Sequence, residues 1–156
     1  MDTSENIFRE PDLSDRPYSL TVERDMELKP ETLFKAWTKE FDAWFAAPDS
    51  VLMVGLVNTP FFFETEYMPD DNSGIQRFPH YGRFLQVIPN QLVQMTWLTG
   101  EGGTNGAETV VTVEIIPKGD KTVLRLTHSG FPDEALRDGH EAAWPMALEM
   151  LERQYE

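Results

Sequence analysis

Residues 127–151 read THSGFPDEALRDGHEAAWPMALEML, and within them a run of strand type ends at a histidine before a long amphipathic helix begins. Leu136, His140, Trp144, Ala147, Leu151 and Tyr155 recur every three or four positions, with Ala143 and Leu148 widening the stripe, which is the spacing of one helix face against a core. Arg137, Asp138, Glu141, Glu149 and Glu152 fall on the other side and are expected to face water. Pro132, beside Asp133 and Glu134, suits a helix start, because proline tolerates the first turn and carboxylates favour the positive end of the helix dipole. Pro145 offers no N–H to the carbonyl of Glu141 and crowds it, so a bend is expected there. A bent helix laid on a sheet can leave a cavity beneath it.

Upstream of this stretch the pattern is mostly of strands. Tyr18, Leu20, Val22, Arg24 and Met26 alternate with polar residues, as in a half-buried strand. Pro30 opens a short helix in which Leu33, Phe34 and Trp37 share a face, and Phe41, Trp44 and Phe45 follow in a second short helix. Residues 51–57, 61–68, 78–88 and 92–98 read as strands separated by 58–60, 69–74 and 89–90, whose Asn, Pro, Gly and Asp residues favour turns. A glycine-rich segment, 99–106, is expected to be a mobile hairpin end, since it lacks the preceding strand and following helix of a phosphate-binding loop. Strands at 108–116 and 122–128 follow, joined by a turn at 117–120. The fold class is α+β: a curved antiparallel sheet of about seven strands wrapped around the long C-terminal helix, with a cavity between them. Residues 1–16 are polar and aperiodic and are expected to be a flexible lead, with 17–156 forming one domain.

The chain has 156 residues, 13 basic against 27 acidic, a net charge of -14 and no cysteine. That charge opposes nucleic acid and anionic lipid surfaces as partners. Without cysteine there are no disulfides and no thiolate metal sites or nucleophiles. No segment approaches the roughly 20 apolar residues that span a bilayer, and the N-terminal residues lack the apolar centre of a signal peptide. The expected location is the cytoplasm, with no membrane insertion.

Five pieces in order, the first strand with Arg24, PETLFKAWT (30–38), YGRFLQVIPNQLVQMTW (81–97), ETVVTVEI (108–115) and LTHSGFPDEALRDGHEAAWPM (126–146), resemble the START-like (SRPBCC) superfamily. The similarity is to the branch named for the activator of heat-shock-protein-90 ATPase and runs from Tyr18 to the C-terminus. The resemblance implies a helix-grip fold: a seven-stranded antiparallel sheet, two short helices after the first strand, and a C-terminal helix over an internal pocket. The superfamily includes lipid carriers, hormone receptors, polyketide cyclases and aromatases, so the resemblance leaves function open. Larger eukaryotic members of the branch carry a further N-terminal domain, whereas 17 residues precede the first strand of this sequence, so chaperone activation does not transfer by name.

Alternation places His128 on the same strand face as Thr122, Leu124 and Leu126, pointing inward. His140 shares its helix face with Trp144, so both imidazoles can approach one space. The plainer alternative is that both are buried, hydrogen-bonded groups that fix the 128–134 turn against the helix. Arg24 is expected at the cavity rim, to pair with Glu64, Glu66 or a ligand carboxylate, unless its side chain merely reaches out to solvent. Tyr81 lies in a strand whose two faces are equally apolar. Trp37, Trp97 and Trp144 supply aromatic surface. Arg24, Trp37, Tyr81, Trp97, His128, His140 and Trp144 are therefore the candidate ligand-binding residues.

No catalytic residue is assigned. Ser129 and His128 are adjacent in a strand and point to opposite faces. No cofactor is implied, and His80 with Glu141 lacks the HExxH or comparable spacing of a metal site. Phe61, Phe62 and Phe63 cannot all point inward, so Phe62 calls for a cover such as a pocket lid or a homodimer contact. The leading functional reading is a protein that holds a hydrophobic or amphipathic small molecule. The alternatives are a cyclase-like or hydrolytic enzyme using a pocket histidine, and a stress-linked chaperone-interacting protein.

Overall fold

The computed structural model describes residues 10–67 and 74–156; the expected lead through residue 9, the end of the second hairpin strand at Met68 and most of the 69–74 turn lie outside them. Strand β1 (Tyr18–Met26) is followed by helix α1 (Pro30–Thr38) and a single 3-10 turn (Phe41–Ala43). Strands β2 (Pro60–Tyr67), β3 (Gln76–Ile88), β4 (Leu92–Trp97), β5 (Thr109–Lys118) and β6 (Lys121–Phe131) lead to helix α2 (Glu134–Gln154). They form one curved, open six-stranded sheet in the order β1-β6-β5-β4-β3-β2, antiparallel throughout. The helix α2 lies chiefly over β1, and α1 lies over β4 and β5. Between helices and sheet sits a core that includes Trp37, Phe41, Phe63, Phe84, Met95, Leu124 and Leu148.

The expected strand at 51–57 is reduced to one bridge, Leu52 with Phe62, which leaves six strands in the sheet. Gly55 breaks the run: its φ of +71° is left-handed, and a Cβ there would lie 2.8 Å from the Thr38 carbonyl oxygen. Only glycine meets both conditions, so the segment bends onto the end of α1 instead of extending along β2.

Two bulges shape the sheet where function gathers. In β3 the register passes from Phe84–Met95 to Gln86–Gln94, so Leu85 is the extra residue and the inward face switches there. Before the bulge His80 and Phe84 are buried and Tyr81 is exposed; Leu85 itself is buried, and after it Val87 packs on the core. In β6 the bulge falls at Gly130, between the pairs Tyr18–Phe131 and Ser19–Ser129. Leu13 occupies the space where a Cβ of residue 130 would lie. Arg16 donates from Nε to the Gly130 carbonyl and from Nη2 to that of Glu108, both at 2.8 Å, so residues 13–16 are tied to the sheet.

Helix α2 begins at Glu134, within the start expected around Pro132, Asp133 and Glu134. Asp133 is its N-cap, with a side-chain oxygen accepting from the Leu136 N–H at 2.9 Å, which satisfies one of the free donors of the first turn. The helix is continuous through Pro145. At its other end Glu152, expected in water, is buried. Its Oε1 lies 2.9 Å from Arg24 Nη2, and its Oε2 accepts from the Glu27 N–H at 2.9 Å. A carboxylate suggests the water side, but Glu152 follows the buried Leu148 by four residues and so lies on the buried side of the helix.

Candidate functional site

The open side of the sandwich is at the β3–β4 end, where two confluent clefts of about 690 and 220 Å³ share His80, Trp97 and His140. The larger falls in the roughly 300–1,000 Å³ range of small-molecule sites, and the smaller lies below it. The larger is bounded by Thr65 and Phe78 of the β2–β3 hairpin and by residues 99–103; the smaller reaches between Phe45 and Trp144 under α2. Rings line both. Trp97 stands 5.6 Å from Trp144 and 5.3 Å from His80, and Phe45 stacks on Trp144 at 6.2 Å.

Each ring has a sequence reason for its position. Trp97 ends β4 on the same face as Val93 and Met95, all buried. His80 faces inward because it precedes the Leu85 bulge, and it stacks on Phe63, its register partner in β2, at 4.7 Å. His140 and Trp144 are one turn apart on the apolar stripe of α2.

Behind these rings His128 is fully buried in a hydrogen-bond chain. Trp144 donates Nε1–H to His128 Nδ1 at 3.1 Å, and His128 Nε2 lies 2.7 Å from Thr109 Oγ1, which itself donates to the Trp97 carbonyl at 2.5 Å. An indole N–H only donates, so Nδ1 must be the acceptor and Nε2 must carry the proton. With both nitrogens committed the imidazole is held neutral, and burial pushes its pKa well below the ordinary value, with His140 adding a smaller effect in the same direction. His128 therefore orients Trp97 and Trp144 without opening onto the clefts.

The other two imidazoles line the clefts. His80 donates Nδ1–H to the Phe78 carbonyl at 3.0 Å, and His140 donates Nδ1–H to the Leu136 carbonyl at 2.8 Å. Carbonyls only accept, so each neutral ring carries its proton on Nδ1 and leaves Nε2 as a bare acceptor. Burial lowers the pKa of both, that of His80 to about 4.

The 99–106 segment, expected to be a mobile end, is clasped by two threonines. Thr104 N–H donates to Thr99 Oγ1 at 2.7 Å and Thr99 N–H to Thr104 Oγ1 at 2.8 Å. Both side chains are buried. Gly103 makes the clasp feasible, since a Cβ there would stand 2.0 Å from Thr99 Oγ1. The pair of threonines five residues apart was the available signal.

Of the seven candidates, Trp97, His140 and Trp144 line the clefts. His128 stands directly behind them. Trp37 is wholly buried and backs Trp144 at 6.0 Å. Arg24 is engaged by Glu152, not by Glu64 or Glu66, and lies outside the cleft lining. Tyr81 is on the outer face of β3, 48% exposed and 5.3 Å from Phe62. Phe62 is thereby partly covered from within the chain. His80 and Phe45 were missed as ligand-facing groups. The bulge concealed the orientation of His80, and Phe45 lies just beyond the 3-10 turn, where no periodicity operates. Among the described residues no group of three or more His, Asp or Glu side chains could hold a metal ion, and no helix is long and apolar enough to cross a membrane.

Residues 27–156 match the family model described as "Activator of Hsp90 ATPase homolog 1-like protein". No match was found among curated protein sequences. Among solved structures the chain is similar to protein CV1439 from Chromobacterium violaceum, at 19% identity and a TM-score of 0.71, covering 88% of this chain and 96% of that one. It is similar to MLL2253 from Mesorhizobium loti at 24% identity and a TM-score of 0.68, with the same coverage of 88% and 96%. A further neighbour is the Aha1 dimer from Colwellia psychrerythraea, at 17% identity and a TM-score of 0.61, covering 86% and 93%. At these identities the likeness is one of fold.

Proposed function

The chain belongs to the family of activator of Hsp90 ATPase homolog 1-like proteins, and from that premise we propose that it is a small-molecule binding protein that holds a hydrophobic or amphipathic ligand in the paired clefts. The observation that carries this reading is the aromatic lining: Trp97, Trp144, Phe45 and Phe78 all face space left open among the described residues. Apolar walls with a few placed polar atoms are the usual makeup of a ligand site. The His128 relay supports the reading, because a buried polar chain holding two indoles in one arrangement preorganises the walls before a ligand arrives. Trp97, His140 and Trp144 are the ligand-facing residues in this proposal, joined by His80 and Phe45. Arg24, Trp37 and Tyr81 have the structural surroundings described above.

Residues 17–156 act as the binding domain in this reading, and a chain with no cysteine suits the reducing cytoplasm. The run at 51–57, with Leu52, Val54 and Leu56 more than half exposed beside the edge strand β2, favours self-association through that edge.

A native mass spectrum of gently purified protein, followed by denaturing extraction, tests both points. A reproducible extra mass of a small apolar compound, with a dimer peak, is the expected result. If the protein carries no such mass and a broad panel of hydrophobic compounds neither raises its melting temperature nor binds, the binding reading fails.

A further inference from the structure

The polar atoms of the clefts narrow the ligand further. His80 and His140 approach the shared space from the sheet and from the helix, and each has its Nδ1–H spent on a main-chain carbonyl. Neither Nε2 has a partner among the described residues, although the His80 side chain is about nine-tenths buried. Neither nitrogen is sealed from solvent, so a ligand that displaces water from the clefts must bring a donor or leave these acceptors unsatisfied, which is costly.

The charges point the same way. Among the described residues lining the clefts the only formally charged side chain is Glu101, and there is no lysine or arginine. Arg77, next to Phe78, is held by Glu64 and Glu66 at 3.4 and 3.0 Å. A carboxylate or phosphate entering here would meet two bare acceptors and an acid, on a chain of net charge -14, with no cation to receive it.

Resting on the binding reading above, we propose that the clefts select a neutral aromatic compound bearing a hydrogen-bond donor, a phenol-like hydroxyl, and discriminate against aromatic carboxylates. The hydroxyl donates to Nε2 of His80 or His140 while the ring lies against Trp97. Both imidazoles keep their acceptor at neutral pH because burial holds their pKa values down, that of His80 to about 4.

The test titrates the wild-type chain at neutral pH with three probes of matched ring system: 2-naphthol, 2-methoxynaphthalene, which keeps the oxygen but loses the donor, and 2-naphthoate. Tryptophan fluorescence reports binding. The expected order is 2-naphthol tightest, about tenfold ahead of the methyl ether, as one hydrogen bond implies, with 2-naphthoate weakest. His140→Leu is expected to shrink the preference for naphthol over its ether, and His80→Phe to do the same. Equal binding of naphthol and ether overturns the proposal, as does naphthoate binding as tightly as naphthol, while either outcome leaves the binding reading standing. A full preference retained in the folded His140→Leu and His80→Phe variants also overturns it. If His80→Phe does not fold, the wild-type order and His140→Leu decide. If none of the three probes binds, this proposal is overturned, while the binding reading is decided by the native mass spectrum and the broad panel of hydrophobic compounds.

Discussion

His128 shows how a single side chain connects strand periodicity to the site. Alternation alone puts it inward, after Thr122, Leu124 and Leu126, and the structure finds all four buried. What alternation cannot supply is its partners: Trp144 is 16 residues away and Thr109 is 19, and only the closed fold joins them. Replacing His128 by leucine strands the Trp144 N–H, with an expected cost of about 1–3 kcal/mol, measured as a lower urea midpoint. His128→Gln, which can offer both an acceptor and a donor, should recover part of it. An unchanged midpoint for His128→Leu would mean the relay contributes nothing. Glycine 82 makes a different demand. A Cβ there would lie 2.2 Å from both the Phe61 ring and the Thr96 carbonyl oxygen, so Gly82→Ala forces apart two buried groups and should destabilise by about 1–3 kcal/mol in the same urea titration. Glu152 was the least legible residue, because its charge suggested water while its partners, Arg24 and the Glu27 N–H, come from distant parts of the chain.

At the scale of elements, α2 was the clearest feature of the sequence and β3 the least clear. The helix announces itself by a stripe that runs from Leu136 to Leu151, and the Asp133 cap and the Arg24–Glu152 pair fix its two ends to the rest of the fold. The strand carries apolar residues on both sides of its alternation because the Leu85 bulge switches faces midway, and a single sequence cannot show which residue is unpaired. The run at 51–57 failed for a related reason: it is apolar enough for a strand, but Gly55 turns it onto Thr38. Two variants test how α2 is held. Glu152→Ala should cost more than Arg24→Ala, about 1–3 kcal/mol against about 1 kcal/mol or less, since it removes the acceptor of the part-buried Glu27 N–H bond as well as the partner of Arg24. Equal costs would show that the Glu27 contact is idle. Pro145 is exposed and lies inside the continuous helix, where it removes one main-chain hydrogen bond, so Pro145→Ala is expected to raise the melting temperature, by up to about 3 kcal/mol of added stability. A fall would show that the proline fits a geometry alanine does not.

For the whole molecule, the antiparallel sheet with a closing helix was readable from the order of periodic segments. A cavity between helix and sheet was expected, but its position at the β3–β4 end and its size were not readable, since a cavity is space left over by packing between elements far apart in sequence. The same burial that shapes the clefts gives the molecule a pH dependence. His80 and His128 are both held below the ordinary histidine value of 6.5, His80 at about 4. Between those pH values the unfolded chain binds protons that the folded chain refuses, so stability is complete above pH 6.5 and declines as the pH falls toward 4. The slope is about 1.4 kcal/mol per pH unit for each such histidine, and the His80 share totals about 3 kcal/mol. Urea midpoints across this range should fall less steeply in His80→Gln than in the wild type; parallel curves would contradict the burial of a neutral His80.

The central claim is that the paired clefts take a ligand, and amide shifts in a nitrogen-15 spectrum during titration with 2-naphthol test it most directly. The account predicts saturable shifts at Gly100, Gly102 and Gly103 in the clasped loop and at His140, Ala143 and Ala147 on α2, with Tyr81 on the outer face unmoved. Shifts confined to the exposed 51–57 segment, or no shifts at saturating probe, would contradict it.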